Sequence, residues 1–101
     1  LDVTSSAQTI YTAPASTTSI VLTLRATNVD GASDDTITAE VLNSGGTPAA
    51  KIAHTITVPA DSSIELAGTS KIVLETGDYI QLTGGAASGD IEAFASILEI
   101  T

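Results

Sequence analysis

The chain has 101 residues, 43% of them hydrophobic but only 3% aromatic, with no Cys, Met or Trp and a formal charge of −9 from 12 acidic and 3 basic residues. That length folds around one core, and the missing cysteines exclude disulfides, Cys-based metal sites and thiol nucleophiles. Arg25, Lys51 and Lys71 are too few to line a phosphate track, which argues against direct nucleic-acid binding, and no apolar run reaches the length of a membrane-spanning helix.

Residues 1–7 lack a core pattern and show no basic region followed by an apolar run, so they read as an N-terminal extension free to reach a partner, ahead of a single domain over 8–101. A first short strand is expected from Gln8 to Thr12. From Ser19 to Val29, Ile20, Leu22, Leu24 and Ala26 alternate with Thr23, Arg25 and Thr27, the period of two that marks a half-buried strand. Thr36 to Leu42 repeats the pattern with Ile37, Ala39 and Val41 inward. Lys51 to Val58 repeats it with Ile52, Ile56 and Val58 sharing a face with His54. Shorter strands are expected at Ser63 to Leu66, Lys71 to Leu74 and Tyr79 to Thr83, and a long one from Asp90 to Ile100. Between them lie runs rich in Gly, Pro, Asn, Asp and Ser, such as Asp30-Gly31-Ala32-Ser33-Asp34-Asp35 and Asn43-Ser44-Gly45-Gly46-Thr47-Pro48. No window carries helical spacing. The expected fold is all-β: an antiparallel β-sandwich of about eight strands with jelly-roll or Ig-like topology.

Candidate chemistry is sparse. His54, the one histidine, falls on an apolar face and reads as a hydrogen-bonded core-edge residue rather than a ligand or base. The Gly-x-Ser-x-Gly elbow of a serine hydrolase is missing, and Tyr11, Tyr79 and Phe94 are too few to build a sugar cleft around paired carboxylates. The Asn28 to Asp35 loop gathers oxygen ligands in the manner of half an EF-hand, but Ile37 stands where the bidentate glutamate belongs, so a capped, charged turn is the expectation. Gly84-Gly85-Ala86-Ala87-Ser88-Gly89 has no following Lys or helix and reads as a flexible hairpin tip rather than a phosphate cradle. No catalytic, cofactor-binding or metal residue is assigned. Uncharged strand faces carrying Thr23, Thr27, Thr38, Thr55 and Thr57 can be covered by a neighbour at little desolvation cost, the first sign of packing between chains.

The segment from Ile10 through Tyr11, Pro14 and Thr18 to Leu22, with Ala26-Thr27-Asn28-Val29-Asp30-Gly31, Val58-Pro59-Ala60-Asp61-Ser62-Ser63-Ile64-Glu65-Leu66, Lys71 to Ile80 and the Leu98-Glu99-Ile100 ending, resembles small β-sandwich virion structural proteins of tailed bacteriophages. The resemblance implies a non-enzymatic capsid decoration or cement subunit on the phage head, with the major capsid protein or other virion subunits as partners. It also implies self-association, a trimer first, and no cofactor. A tail or neck component is the nearest alternative. A host-surface recognition module for glycan or protein, using the tips at Asp30 to Asp35 and Gly84 to Asp90, is the other.

Overall fold

The computed structural model describes residues 1–67, 72–86 and 89–101. These hold nine strands and no helix: β1 Asp2–Val3, β2 Gln8–Thr12, β3 Thr18–Asn28, β4 Asp35–Leu42, β5 Pro48–Val58, β6 Ser63–Glu65, β7 Ile72–Leu74, β8 Tyr79–Gly84 and β9 Ile91–Ile100. The expected start of β7 at Lys71 lies outside the described residues. Two antiparallel sheets pack face to face. The first runs β1-β9-β3-β6, with β7 also on β3, and the second runs β2-β8-β4-β5. Pairing is nested, β1 with β9, β2 with β8, β3 with β6 and β7, and β4 with β5. That is the rolled hairpin of a jelly roll, which decides between the two expected topologies. Among the described residues only β4 and β5 are joined as an adjacent hairpin; the 84–90 connection links β8 of one sheet to β9 of the other. It is therefore a crossing between layers and not the expected hairpin tip, and Ala87 and Ser88 within it lie outside the described residues.

The core is aliphatic. Val3, Val21, Leu24, Leu74 and Ile91 of the first sheet meet Ile37, Val58, Ile80 and Leu82 of the second, all fully buried, and each contributes about 1.5–3 kcal/mol of burial. With so few aromatic rings, β-branched and leucine side chains fill the layer, and they suit a pleated surface.

Two β-bulges correct the simple alternation. In β3 the register with β9 shifts between Val21↔Ile97 and Thr23↔Ser96, leaving Leu22 as the extra residue. The inward residues are therefore Ser19 and Val21 before the bulge, and Leu24, Ala26 and Asn28 after it, while Leu22 is exposed and Ile20 is only partly covered. An extra residue reverses which parity faces the core. In β5 the shift falls between Ile37↔Ile56 and Ala39↔Ala53, where Thr55 has φ 51°. A β-branched residue in the left-handed region costs on the order of 1–3 kcal/mol, which the surrounding ladder offsets. Consequently Ala53 and Val58 are buried, whereas Ile56 is exposed and His54 faces solvent instead of the core edge.

The amino-terminal residues are not the free arm expected from their sequence. The Leu1 ammonium donates to Ala93 O at 3.1 Å, Ala93 N returns to Leu1 O at 2.8 Å, and Val3 is fully buried opposite Ile91. The chain then leaves this sheet at Thr4, whose carbonyl takes the Gly84 N–H at 2.7 Å, and enters the other sheet as β2.

The bulge at Leu22 is directly testable by denaturant unfolding. Leu24→Ala should cost about 2–5 kcal/mol, the range for deleting a buried leucine side chain, while Leu22→Ala should cost under about 1 kcal/mol. Uninterrupted alternation would make the two equal.

Candidate functional site on the outer face of the five-stranded sheet

At the loop end with the most carboxylates, side-chain oxygens of Asp30 and Asp34 hold turns. Asp30 Oδ1 accepts the N–H groups of Ala32 and Ser33 at 2.8 and 3.2 Å, and Asp34 Oδ1 accepts Ala60 N–H at 3.0 Å. Asn28 is fully buried: its Nδ2 donates to Ser33 O at 2.9 Å and Val58 O at 3.0 Å, and its Oδ1 accepts Asp30 N–H at 2.9 Å. This clamp ties the end of β3 to the turn and to the end of β5, so Asn28 acts as a structural crosslink and not as a cation ligand.

Asp35, 6% exposed, accepts Thr36 N–H at 2.7 Å and Gly85 N–H at 3.1 Å through Oδ1, while Oδ2 is buried with no hydrogen-bond partner among the described residues. Gly85 must be glycine here, since a Cβ would stand 2.6 Å from Thr36 Oγ1 and 2.8 Å from Asp35 Oδ1. An open hollow of about 510 Å³ lies over this corner, lined by Asp34, Asp35, Thr36, Thr57, Gly85 and Ala86. No three His, Asp or Glu side chains among the described residues are placed to hold a metal ion. His54, on the exposed edge strand β5, is not among the residues lining the hollow.

The opposite end of the sandwich is closed by Tyr11. Its hydroxyl donates to Glu99 Oε2 at 2.5 Å and pairs with Ser19 Oγ at 2.7 Å, joining β2 of one sheet to β3 and β9 of the other. Burial of the hydroxyl raises the phenol pKa above its ordinary 10.0, and the Glu99 hydrogen bond and charge add to that, against a smaller lowering from Ser19.

The unusual surface is the outer face of the five-stranded sheet. Across β7, β3 and β9, Val73 stands opposite Ile20 and Ile20 opposite Leu98, one apolar row over three neighbouring strands. Ile100 and Leu22 flank the row and Phe94 lies beyond it, level with Arg25. Five of the eight large apolar side chains exposed among the described residues are on this face, with Phe94 60%, Val73 57% and Ile100 51% exposed. Together they leave roughly 400 Å² of apolar surface in water, a size often associated with interaction sites. The other sheet turns Thr36, Thr38, Glu40 and Thr83 outward instead, following from the inward Ile37 and Ala39.

Alternation concealed this face. A strand that places apolar residues on both sides breaks the period of two, and Ile20-Val21-Leu22, Ile72-Val73-Leu74 and Ile97-Leu98 all do so. Such runs mark strands covered on both faces, the signal that could have located the site. Comparison with protein-family models, curated proteins and solved structures finds no match to this chain.

Two outcomes are expected here. Asn28→Ala leaves the Ser33 and Val58 carbonyls and the Asp30 N–H without their partner and should destabilise the fold by about 2–4 kcal/mol in urea unfolding. For Tyr11, a raised folded-state pKa means that its stabilisation is complete below pH 10.0 and is lost as pH rises through the folded value. Melting temperature should therefore fall above about pH 10 in the parent chain, and this alkaline component should shrink in Tyr11→Phe.

Proposed function

We propose that the chain is a non-enzymatic structural subunit of a tailed-bacteriophage particle, a capsid decoration or cement protein, that docks on the major capsid protein through the outer face of its five-stranded sheet. The observation that carries this reading is the Val73–Ile20–Leu98 row, an uncharged apolar strip on a chain of net charge −9. Burying such a strip needs little charge to be stripped of water, and repetition of one modest contact over a lattice gives avidity that a single contact lacks. The jelly roll adds support by analogy alone, because capsid and lectin domains both use it. The resemblance of the Ile10 to Leu22 and Val58 to Leu66 segments to phage virion proteins supplies the particle, and the head is favoured over neck and tail.

The test is co-sedimentation of the purified chain with shells of a tailed-bacteriophage major capsid protein, followed by imaging of the particles. Val73→Lys together with Leu98→Lys should fold as the parent does, both sites being exposed, and should reduce the bound fraction at least about tenfold, since two side chains lose burial worth about 1.5–3 kcal/mol each. Unchanged binding would remove the face from the interface. A ring of density at the portal in place of a lattice over the head would move the subunit to the neck.

A further inference from the structure

Arg25 is the one lysine or arginine that the described residues place on the outer face of the five-stranded sheet, Lys51 belonging to β5 of the other sheet. Leu24 and Ala26 on either side of it are buried, so the Arg25 side chain leaves the strand outward, where it is exposed. It stands opposite Phe94, which is 60% exposed. Along β9, Phe94 is about 13 Å from Leu98 of the apolar row. The pair between them, Thr23 and Ser96, is uncharged, so the row and the Arg25–Phe94 pair are joined by surface without charge.

The guanidinium has no acid of its own. Among the described residues the one ion pair joins Lys51 to Glu40, and no hydrogen bond engages the Arg25 side chain. Glu65 lies opposite Arg25 on β6, but its Oε2 accepts Leu24 N–H at 2.7 Å and Ala67 N–H at 3.3 Å, which ties that carboxylate to the backbone. Glu92 stands opposite Asp2 and Thr27, nearer the end of the sheet. In a chain with 12 acidic residues, the arginine beside the apolar row is the one left unpaired.

We infer that Arg25 is the polar anchor of the docking face and takes a side-chain carboxylate of the partner, which therefore presents an apolar strip with an Asp or Glu about 13 Å along it. This rests on the docking face proposed above and names the chemistry of its partner. Covering the face strips water from the guanidinium, and donors left unfilled there would oppose binding. A carboxylate fills them with two parallel N–H···O bonds and cancels the charge, which a neutral acceptor does not. Phe94, alongside, excludes water from the pair once the face is covered, and an ion pair is stronger where water is excluded. Arg and aromatic side chains supply a large share of the binding free energy at protein interfaces, and here one of each is set side by side.

Two measurements test the anchor. In co-sedimentation with the capsid shells, Arg25→Gln should weaken binding at least about tenfold, and Arg25→Lys, which keeps the charge but loses the fork, by less. Lys51→Gln makes the same change in net charge on the other sheet and should leave binding within about twofold of the parent. Equal losses in Arg25→Gln and Lys51→Gln would reduce the effect to net charge and overturn the anchor. Binding that Arg25→Gln leaves unchanged, while Val73→Lys with Leu98→Lys abolishes it, overturns the anchor and keeps the docking face.

The second measurement needs no capsid. A short apolar peptide carrying one glutamate, blocked at both ends, is titrated to millimolar concentration onto the isotope-labelled chain and followed by NMR. It should shift the Arg25 Nε–H resonance and the amides of Phe94, Ile20 and Leu98, and the same peptide with glutamine in place of glutamate should leave Arg25 Nε–H in place. Equal shifts from both peptides, or none from either, overturn the anchor. A parent chain that fails to sediment with shells yet shows the glutamate-specific shift overturns the capsid reading alone.

Discussion

The antiparallel pairing of β3 with β9, from Thr18↔Ile100 to Asn28↔Ile91, is the constraint from which the rest of this sandwich follows. It brings the two long strands of the first sheet together, one from the first third of the chain and one from its end, and no local turn helps. β6 and β7 attach to the far side of β3, and β1 attaches to the start of β9. The bulge at Leu22 sits inside this ladder, so one extra residue decides which side chains reach the core and which are left outside.

That decision produces the outer apolar face. Past the bulge, Leu24 and Ala26 are committed to the core; before it, Val21 is committed and Ile20 is turned outward to line up with Val73 and Leu98. The core and the outer apolar face thus draw on the same strand in alternating residues. β1 pairs with the start of β9, and at Thr4 the chain bridges to Gly84 of the opposite sheet, which closes the sandwich at its side.

Charge is distributed in keeping with this division. Aspartates gather at the loops, where Asp30 and Asp34 accept backbone N–H groups and so hold turns while keeping the surface soluble. On the outer face of the five-stranded sheet, Asp2, Glu92 and Glu65 lie away from the Val73–Ile20–Leu98 row, which carries no charge. Asp35 is the exception to economical use of carboxylates, since one oxygen supports the Thr36 and Gly85 amides and the other is buried without a partner among the described residues. A buried unpaired oxygen carries a cost of about 1–3 kcal/mol.

The sequence alone determined that the fold is an antiparallel sandwich, because period-two patterning and runs of Gly, Pro, Asn, Asp and Ser between strands are local properties. It placed most of the strands, Gln8 to Thr12 and Tyr79 onward among them. It did not place Val3 in the core or His54 in solvent, since both depend on long-range pairing: Val3 on Ile91 across nearly the whole chain, and His54 on the Thr55 bulge against β4. The outer apolar face was half-legible. The runs Ile20-Val21-Leu22 and Ile72-Val73-Leu74 announce apolar residues on both sides of a strand, but only the register of β7, β3 and β9 sets Val73, Ile20 and Leu98 in one row. Alternation reports that a strand has two faces. Which face meets the core, and whether the other is covered, is decided by where bulges fall and which strand lies alongside, and that information exists only once the sheet has formed.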